Sequence, residues 1–93
     1  MAKIRVSGKD KGDVFIYALS TCGWCRKMKT LLGDLGVEYC YVDVDLEEGV
    51  ERETVTTELT KWNPKLSFPT VVINQEKCII GFDETAIKEA LGI

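Results

Sequence analysis

The spacing of hydrophobic and polar positions changes along this chain, and each change marks a predicted element. Residues 13–19 (DVFIYAL) form a nearly continuous apolar and aromatic run, which is typical of a central strand covered on both faces. From Trp24 the apolar residues instead recur at i, i+4, i+7, i+8 and i+11. This spacing predicts an amphipathic helix over residues 23–35, closed by Gly36.

The middle of the chain predicts a second strand and a longer helix. Residues 37–45 (VEYCYVDVD) are rich in β-branched and aromatic side chains, as strands are. Residues 46–62 are predicted as a helix whose acidic residues crowd the N-terminal half, where the helix dipole favours them. Leu46 and Val50 fit its first turn, but a step of five then separates Val50 from Val55, and Gly49 lies at the break.

The last part of the chain predicts a hairpin and a closing helix. Residues 68–74 (FPTVVIN) and 78–80 (CII) are predicted strands joined by a short polar turn, which favours antiparallel pairing. Residues 83–91 (DETAIKEAL) are predicted as a helix with Asp83 as its N-cap. The order β-α-β-α-β-β-α requires parallel pairing first and antiparallel pairing later. The sequence therefore predicts a three-layer α/β fold with a four-stranded mixed sheet.

The first twelve residues lie outside this alternation. If the strand at residues 13–19 is central, later strands occupy both of its edges. Residues 3–7 (KIRVS) must then pair at the rim of the sheet or form a mobile arm. We therefore divide the chain into residues 1–12, an N-terminal arm or extra edge strand, and one domain at residues 13–93.

Composition and charge narrow the class of protein. The chain has 93 residues, of which 45% are hydrophobic and 29% are charged, as expected for one small globular domain. No segment approaches the roughly 20 apolar residues of a membrane span. The net charge of −3 disfavours nucleic acid as a partner, because no Lys/Arg cluster interleaves with aromatic residues.

The N-terminal segment (MAKIRVSGKDKGD) contains no apolar run of the kind that forms a secretory signal, so we expect a cytoplasmic protein. Four cysteines in that reducing compartment are expected to serve catalysis or metal binding rather than a disulfide framework. We also expect a monomer.

Cys22 and Cys25 occur in the segment STCGWCRK, where the predicted central strand gives way to the first helix. Backbone N–H groups and the helix dipole at that helix N-terminus stabilise a thiolate at Cys22. Cys25 lies one turn inside, on the face that contains Met28 and Leu32, so it should be shielded and protonated. This unequal pair predicts thiol–disulfide exchange, in which Cys22 attacks a target disulfide and Cys25 resolves the mixed disulfide.

Two other uses of the cysteines stay open at this level. Cys22 and Cys25 would form half of a zinc site if Cys40 and Cys78 completed it. Zinc motifs usually repeat the C-x2-C unit, however, whereas Cys40 and Cys78 lie singly in apolar strands, as buried thiols do. A disulfide between Cys40 and Cys78 is the second alternative.

With these elements in place, residues 13–92 resemble the glutaredoxin family of the thioredoxin fold. The resemblance rests on three short segments, TCGWC (21–25), SFPT (67–70) and GFDE (81–84). It implies a thiol–disulfide oxidoreductase, with Cys22 and Cys25 as the catalytic residues that form the redox disulfide.

The same resemblance implies the substrate-binding residues: Trp24, Phe68, Pro69, Gly81, Phe82 and Asp83. It implies a cis peptide bond between Phe68 and Pro69 beside Cys22, with the backbone of Phe68 pairing with a bound peptide or with glutathione. Proline suits that position because it tolerates the cis form and has no N–H. Residues 80–83 match only in part the family's Gly-Gly-x-Asp segment, which recognises the γ-glutamyl end of glutathione.

The resemblance leaves the electron donor open. Leu19 stands where many glutathione-using members have a lysine, and GFDE is also similar to a segment of small redoxins that take electrons from a thioredoxin-reductase-type enzyme. The expected partners are disulfide-containing proteins and, as reductant, glutathione, such a reductase or a ferredoxin-linked reductase, with no bound cofactor and no metal. Gly23 replaces the family's usual proline, which suggests an alternative role as an iron–sulfur cluster-binding electron or cluster carrier, with the cluster held by Cys22 and glutathione.

Overall fold

The computed structural model describes residues 3–93. Within them, five strands form one sheet: Ile4–Val6 (β1), Val14–Ala18 (β2), Tyr39–Asp43 (β3), Thr70–Ile73 (β4) and Lys77–Ile80 (β5). The α-helices are Gly23–Asp34 (α1), Gly49–Trp62 (α2) and Glu84–Leu91 (α3), and a short 3-10 helix at Val44–Leu46 precedes α2. No helix among the described residues is long and apolar enough to cross a membrane.

The sheet is mixed, with the order β1-β3-β2-β4-β5. The central strand β2 runs parallel to β3 and antiparallel to β4, which pairs antiparallel with β5. The predicted mixed α/β architecture is confirmed, but the sheet has five strands rather than four. Because β3 and β4 occupy both edges of β2, the first strand pairs antiparallel with the free edge of β3.

The segment that follows β1 is fastened to the turn between α1 and β3. Lys9 N–H donates to the carbonyl of Gly36 at 2.7 Å, and Glu38 N–H donates to the carbonyl of Lys9 at 2.9 Å. Gly8 permits this contact, because a Cβ atom there would lie 2.7 Å from the backbone nitrogen of Glu38. These hydrogen bonds continue the attachment of the N-terminal segment beyond β1.

Each face of the sheet packs against its own helices, which gives three layers. On one face, α1 and α3 bury Met28, Leu32 and Ile87 against the sheet. On the other face, α2 buries Val55 and Leu59. The polar residues of each helix face outward, as the amphipathic spacing of α1 predicts.

The second helix starts later than its sequence predicts. It begins at Gly49, whose φ of +60° is a left-handed conformation that glycine adopts without strain. Leu46 and Val50, which fit a first helical turn by spacing, are 67% and 77% exposed. The step of five in the apolar pattern therefore marks the point where buried positions begin, at Val55.

Candidate active site

Cys22 lies at the N-terminus of α1, directly after the turn that leaves the buried end of β2. Its N–H donates to the carbonyl of Leu19 at 3.2 Å, which closes the turn. Its Sγ accepts a hydrogen bond from the backbone N–H of Cys25 at 3.2 Å, so the sulfur itself caps the helix. The side chain is partly exposed. A reactive sulfur held this way faces both the solvent and the positive end of the helix dipole.

Cys25 occupies the opposite kind of environment. It is 0% exposed and packs in the cluster that also contains Met28 and Leu32. Burial raises the pKa of its thiol to about 12, and a hydrogen bond with Cys22 adds to the rise, whereas a hydrogen bond to the backbone of Leu19 and, less strongly, the ammonium of Lys29 lower the pKa. Cys25 is therefore a protonated thiol at neutral pH, in a place that solvent does not reach.

At neutral pH, iodoacetamide should modify Cys22 and spare Cys25. The reagent attacks thiolates, and the thiolate of Cys25 becomes abundant only as the pH approaches about 12. Peptide mapping by mass spectrometry after short exposures between pH 7 and pH 9 measures both sites. The same labelling in guanidinium chloride serves as control, because unfolding should make the two cysteines react alike. Equal labelling in the folded protein at pH 7 would contradict the difference between the two thiols.

The loop before β4 reaches the same end of the sheet as Cys22. Because β4 runs antiparallel to β2, its first residue, Thr70, pairs with Tyr17 near the end of β2. The Phe68-Pro69 peptide bond is cis, as the resemblance implies. Pro69 is buried, and Phe68 is partly buried against the clusters on both faces of the sheet. The fold therefore brings Phe68 and Pro69 to the edge where the cysteine turn begins.

The residues after β5 complete this side of the site. Gly81 N–H donates to the carbonyl of Pro69 at 2.8 Å. The ring of Phe82 stacks on that of Trp24, with centroids 5.8 Å apart and planes at 30°. Trp24 is 57% exposed, and the ammonium of Lys27 lies 4.6 Å from the centroid of its indole ring. The helical spacing alone would have assigned Trp24 to the buried stripe.

Asp83 has a structural task in this arrangement. Its Oδ1 accepts a hydrogen bond from the N–H of Ala86 at 3.0 Å, so it is the N-cap of α3, as the sequence predicts. The capped end of α3 and the start of α1 are joined through the Trp24–Phe82 stack. The binding of substrate or of the γ-glutamyl end of glutathione by Asp83 stays a prediction.

Asn63 organises the loop in front of Pro69, a role that its sequence context does not predict. Its side chain is 1% exposed. Its Nδ2 donates to Ser67 Oγ at 2.9 Å, to Thr70 Oγ1 at 3.0 Å and to the Ser67 carbonyl at 3.3 Å. Its Oδ1 accepts from the N–H of Lys65 at 3.1 Å. The sequence shows only an Asn-Pro pair that ends a helix, and no short-range signal reveals the partners.

Cys40 and Cys78 lie away from this site and from each other. Cys40 pairs with Phe15, Phe15 with Val72, and Val72 with Cys78, so two strands separate the cysteines. Three strand spacings put their Cα atoms roughly 14 Å apart, whereas a disulfide requires less than about 7 Å. The alternative of an intramolecular disulfide between Cys40 and Cys78 is therefore wrong.

The alternative of a zinc site formed by all four cysteines is also wrong. Cys40 and Cys78 share a sheet face with Phe15, which packs on the α2 side, whereas Cys22 and Cys25 belong to the cluster under α1 and α3. Across residues 3–93, no three His, Cys, Asp or Glu side chains converge as metal ligands would. Cys22 and Cys25 therefore form one pair, and Cys40 and Cys78 are two isolated thiols.

Comparison with known proteins identifies the family. The family model described as Glutaredoxin matches residues 14–78. The chain belongs to the glutaredoxin family. A glutaredoxin of Ricinus communis is 32% identical over 79 residues, which are 85% of this chain and 74% of that protein.

Solved glutaredoxin structures share the fold. The glutaredoxin from Methanosarcina mazei Go1 is 53% identical, with a TM-score of 0.91, covering 98% of this chain and 88% of that one. Methanosarcina acetivorans methanoredoxin is 49% identical, with a TM-score of 0.91, covering 100% of this chain and 97% of that one. A buckwheat glutaredoxin–glutathione complex is 25% identical, with a TM-score of 0.67 and coverages of 89% and 73%. The predicted thioredoxin-like fold is confirmed.

Proposed function

We propose that this glutaredoxin-family chain reduces the disulfides of proteins or small molecules through the Cys22 and Cys25 dithiol. Family membership supports thiol–disulfide oxidoreductase chemistry in general. The observation that carries the finer proposal is the contrast between the two sulfurs. Cys22 is partly exposed and caps α1, whereas Cys25 is buried, with its pKa raised to about 12.

The proposed reaction has two exchange steps. The Cys22 thiolate attacks one sulfur of the substrate disulfide, a Cys22–substrate disulfide forms, and the other substrate sulfur leaves as a thiolate. Cys25 then gives up its proton to that thiolate and attacks the Sγ of Cys22. The second substrate sulfur leaves and is protonated, and a disulfide between Cys22 and Cys25 remains. Two electrons and two protons have passed to the substrate.

The raised pKa of Cys25 separates these steps. A buried thiol that stays protonated cannot compete with Cys22 for the substrate in the first step. In the second step it needs a base, and the thiolate released in the first step is the base that the reaction itself supplies. This arrangement supports Cys22 as the attacking thiol and Cys25 as the resolving thiol.

The surroundings of Cys22 favour a protein substrate. Trp24, Leu46 and Val50 are large apolar side chains that are more than half exposed. Trp24 follows Cys22, and the other two follow the end of β3, which lies beside the end of β2 because these strands are parallel. Exposed apolar groups at the same end of the sheet as a reactive residue support a protein contact surface there. We therefore propose disulfide-containing proteins as the main substrate class.

Glutathione or a reductase would restore the dithiol in this proposal. The buckwheat glutaredoxin structure is a complex with glutathione, which supports glutathione as the electron donor. Leu19 argues against glutathione, because it packs into the cluster under α2 and supplies no positive charge where many glutathione-using members have a lysine. A groove of about 410 Å³ beside Phe82 is lined by Arg26 and Lys27 but also by Asp34 and Glu84, so its charges balance and favour neither donor. The cytoplasm, as a reducing compartment, and a monomeric state remain part of the proposal.

Donor competition tests the proposal. The oxidised protein is offered glutathione or a thioredoxin-reductase-type enzyme with NADPH, and insulin disulfide reduction is followed with each donor, with Cys22→Ser as control. We expect turnover with at least one donor and a midpoint potential of about −270 to −200 mV. If insulin is reduced neither with any of these donors nor with dithiothreitol, the proposal is contradicted. Visible absorption with stoichiometric iron in the purified protein would favour the cluster-carrier alternative instead.

A further inference from the structure

The turn that presents Cys22 has apolar packing only at its ends, where Leu19 packs against the cluster under α2 and Cys22 against the cluster under α1 and α3. Residues 19–21 lead from the end of β2 to the helix, and Thr21 is exposed while Leu19 and Ser20 are only partly buried. Inside the turn, the described hydrogen bond runs from the N–H of Cys22 to the carbonyl of Leu19 at 3.2 Å. The position of the sulfur therefore depends on contacts from outside the turn.

One side chain supplies that outside contact. The N–H of Ser20 donates to Asp45 Oδ1 at 2.8 Å, and the hydroxyl of Ser20 donates to Asp45 Oδ2 at 2.5 Å. Both oxygens of a single carboxylate are thus engaged by one residue of the turn. Asp45 lies in the 3-10 helix after β3, next to Val44, which is 6% exposed. The contact exists because β2 and β3 are parallel and end at the same edge of the sheet.

A second contact ties α1 to the same strand. Lys29 Nζ lies 3.2 Å from Asp43 Oδ1, and the same ammonium lies 3.8 Å from the centroid of the Tyr41 ring. Asp43 fixes the helix one turn beyond Cys25, and Asp45 fixes the turn before Cys22. Residues at the end of β3 therefore hold both ends of the segment that carries Cys22 and Cys25.

We propose that Asp45 is a positioning residue for Cys22, acting through its two hydrogen bonds to Ser20. With the turn fixed, the Sγ of Cys22 stays within 3.2 Å of the N–H of Cys25 and remains accessible to a substrate disulfide. Without Asp45, the middle of the turn loses both of its side-chain contacts, and we expect the sulfur to shift from the line of attack. Misplacement of a reacting atom by about 1 Å costs up to roughly a hundredfold in rate.

A proton-donor role for Asp45 does not fit its surroundings. The hydrogen bonds from the side chain and backbone of Ser20 lower the pKa of the Asp45 carboxyl below its usual value. It is therefore ionised at neutral pH and has no proton to give. Both of its oxygens already accept hydrogen bonds, so its task in the folded protein is to hold Ser20.

Three variants test the inference, which rests on the proposed function of Cys22. Asp45→Ala removes both contacts. Asp45→Asn keeps an acceptor for the N–H of Ser20 and presents an amide donor to its hydroxyl, so it keeps the geometry without the charge. Ser20→Ala removes one contact. The matched control is Asp10→Ala, which removes another aspartate bonded to a backbone N–H, that of Gly12 at 3.0 Å, in the N-terminal segment.

The measurements are the iodoacetamide rate at Cys22 by peptide mapping, the kcat/KM of insulin reduction, and thermal unfolding. At a temperature where circular dichroism shows each variant folded, Asp45→Ala should lose roughly tenfold to a hundredfold in kcat/KM. Asp45→Asn should keep most of the wild-type kcat/KM. The kcat/KM of Ser20→Ala should lie between those of Asp45→Asn and Asp45→Ala. Combining Ser20→Ala with Asp45→Ala should add little, because the two residues act as one contact. Asp10→Ala should behave as wild type.

Two outcomes would overturn the inference. Wild-type rates in Asp45→Ala would show that the turn needs no external contact. Equal losses in Asp45→Asn and Asp45→Ala would show that the charge of Asp45, rather than its hold on Ser20, is what matters. Should Asp45→Ala fail to fold, the milder Ser20→Ala decides the question by the same rates. A wild-type protein without reductase activity would instead contradict the proposed function, while the iodoacetamide rates still report on the position of Cys22.

Discussion

Replacement of Cys22 by serine should abolish disulfide reduction and leave the fold intact. The fold survives because serine is a favoured N-cap residue, and its hydroxyl can accept the N–H of Cys25 as the sulfur of Cys22 does. The chemistry is lost because a hydroxyl does not attack a disulfide under these conditions. Insulin reduction should fall to the uncatalysed rate, with unchanged circular dichroism. Turnover above that rate in a folded Cys22→Ser protein would remove Cys22 from the mechanism.

The matching change at the second sulfur should give a different defect. Cys25→Ala leaves Cys22 able to attack, but the mixed disulfide cannot be resolved within the chain, so it should accumulate. Non-reducing gels and mass spectrometry of the protein mixed with a disulfide substrate measure that species. Cys40→Ser is the control, because Cys40 lies outside the site and its loss should leave no trapped adduct. Identical behaviour of Cys22→Ser and Cys25→Ala would contradict the separate roles.

Much of the fold follows from short-range patterns in the sequence. The order of strands and helices from β2 onward, the N-cap at Asp83 and the place of Cys22 at a strand-to-helix junction depend on residues close together in the chain. Hydrophobic spacing and capping chemistry report on such contacts directly. The first strand, β1, which the sequence predicts only as one of two alternatives for residues 1–12, is three residues long, and it is defined by its partner β3 rather than by its own pattern.

The remaining features depend on contacts between distant residues. Asp45 and Ser20 are 25 positions apart, and they meet only because β2 and β3 end at the same edge of the sheet. Trp24 leaves the buried stripe of α1 because Phe82, from the turn after β5, provides a stacking partner at the surface. Spacing predicts which positions repeat along a helix, but not which neighbour the fold places opposite each position.

Asn63 gives the largest stability effect that we expect from a polar side chain. Asn63→Ala would remove the donors to Ser67 and Thr70 and the acceptor for the N–H of Lys65. The side chain is almost fully buried, so water cannot freely replace these hydrogen bonds. We expect the free energy of unfolding to fall by about 2–4 kcal/mol, as measured by urea denaturation. Thr57→Val is the control, because it removes an exposed hydroxyl bond within α2 and should cost less than about 0.5 kcal/mol.

The same change should lower turnover more than the loss of stability explains. Asn63 holds Ser67 and Thr70 on either side of Phe68 and Pro69, and Pro69 in turn accepts the N–H of Gly81. A loosened loop would leave Cys22 chemically intact but remove the surface proposed to align the substrate. We therefore expect KM for insulin to rise in Asn63→Ala while iodoacetamide still modifies Cys22 at the wild-type rate. An unchanged KM in a folded Asn63→Ala protein would show that the loop before β4 does not contact the substrate, and it would confine Asn63 to stability.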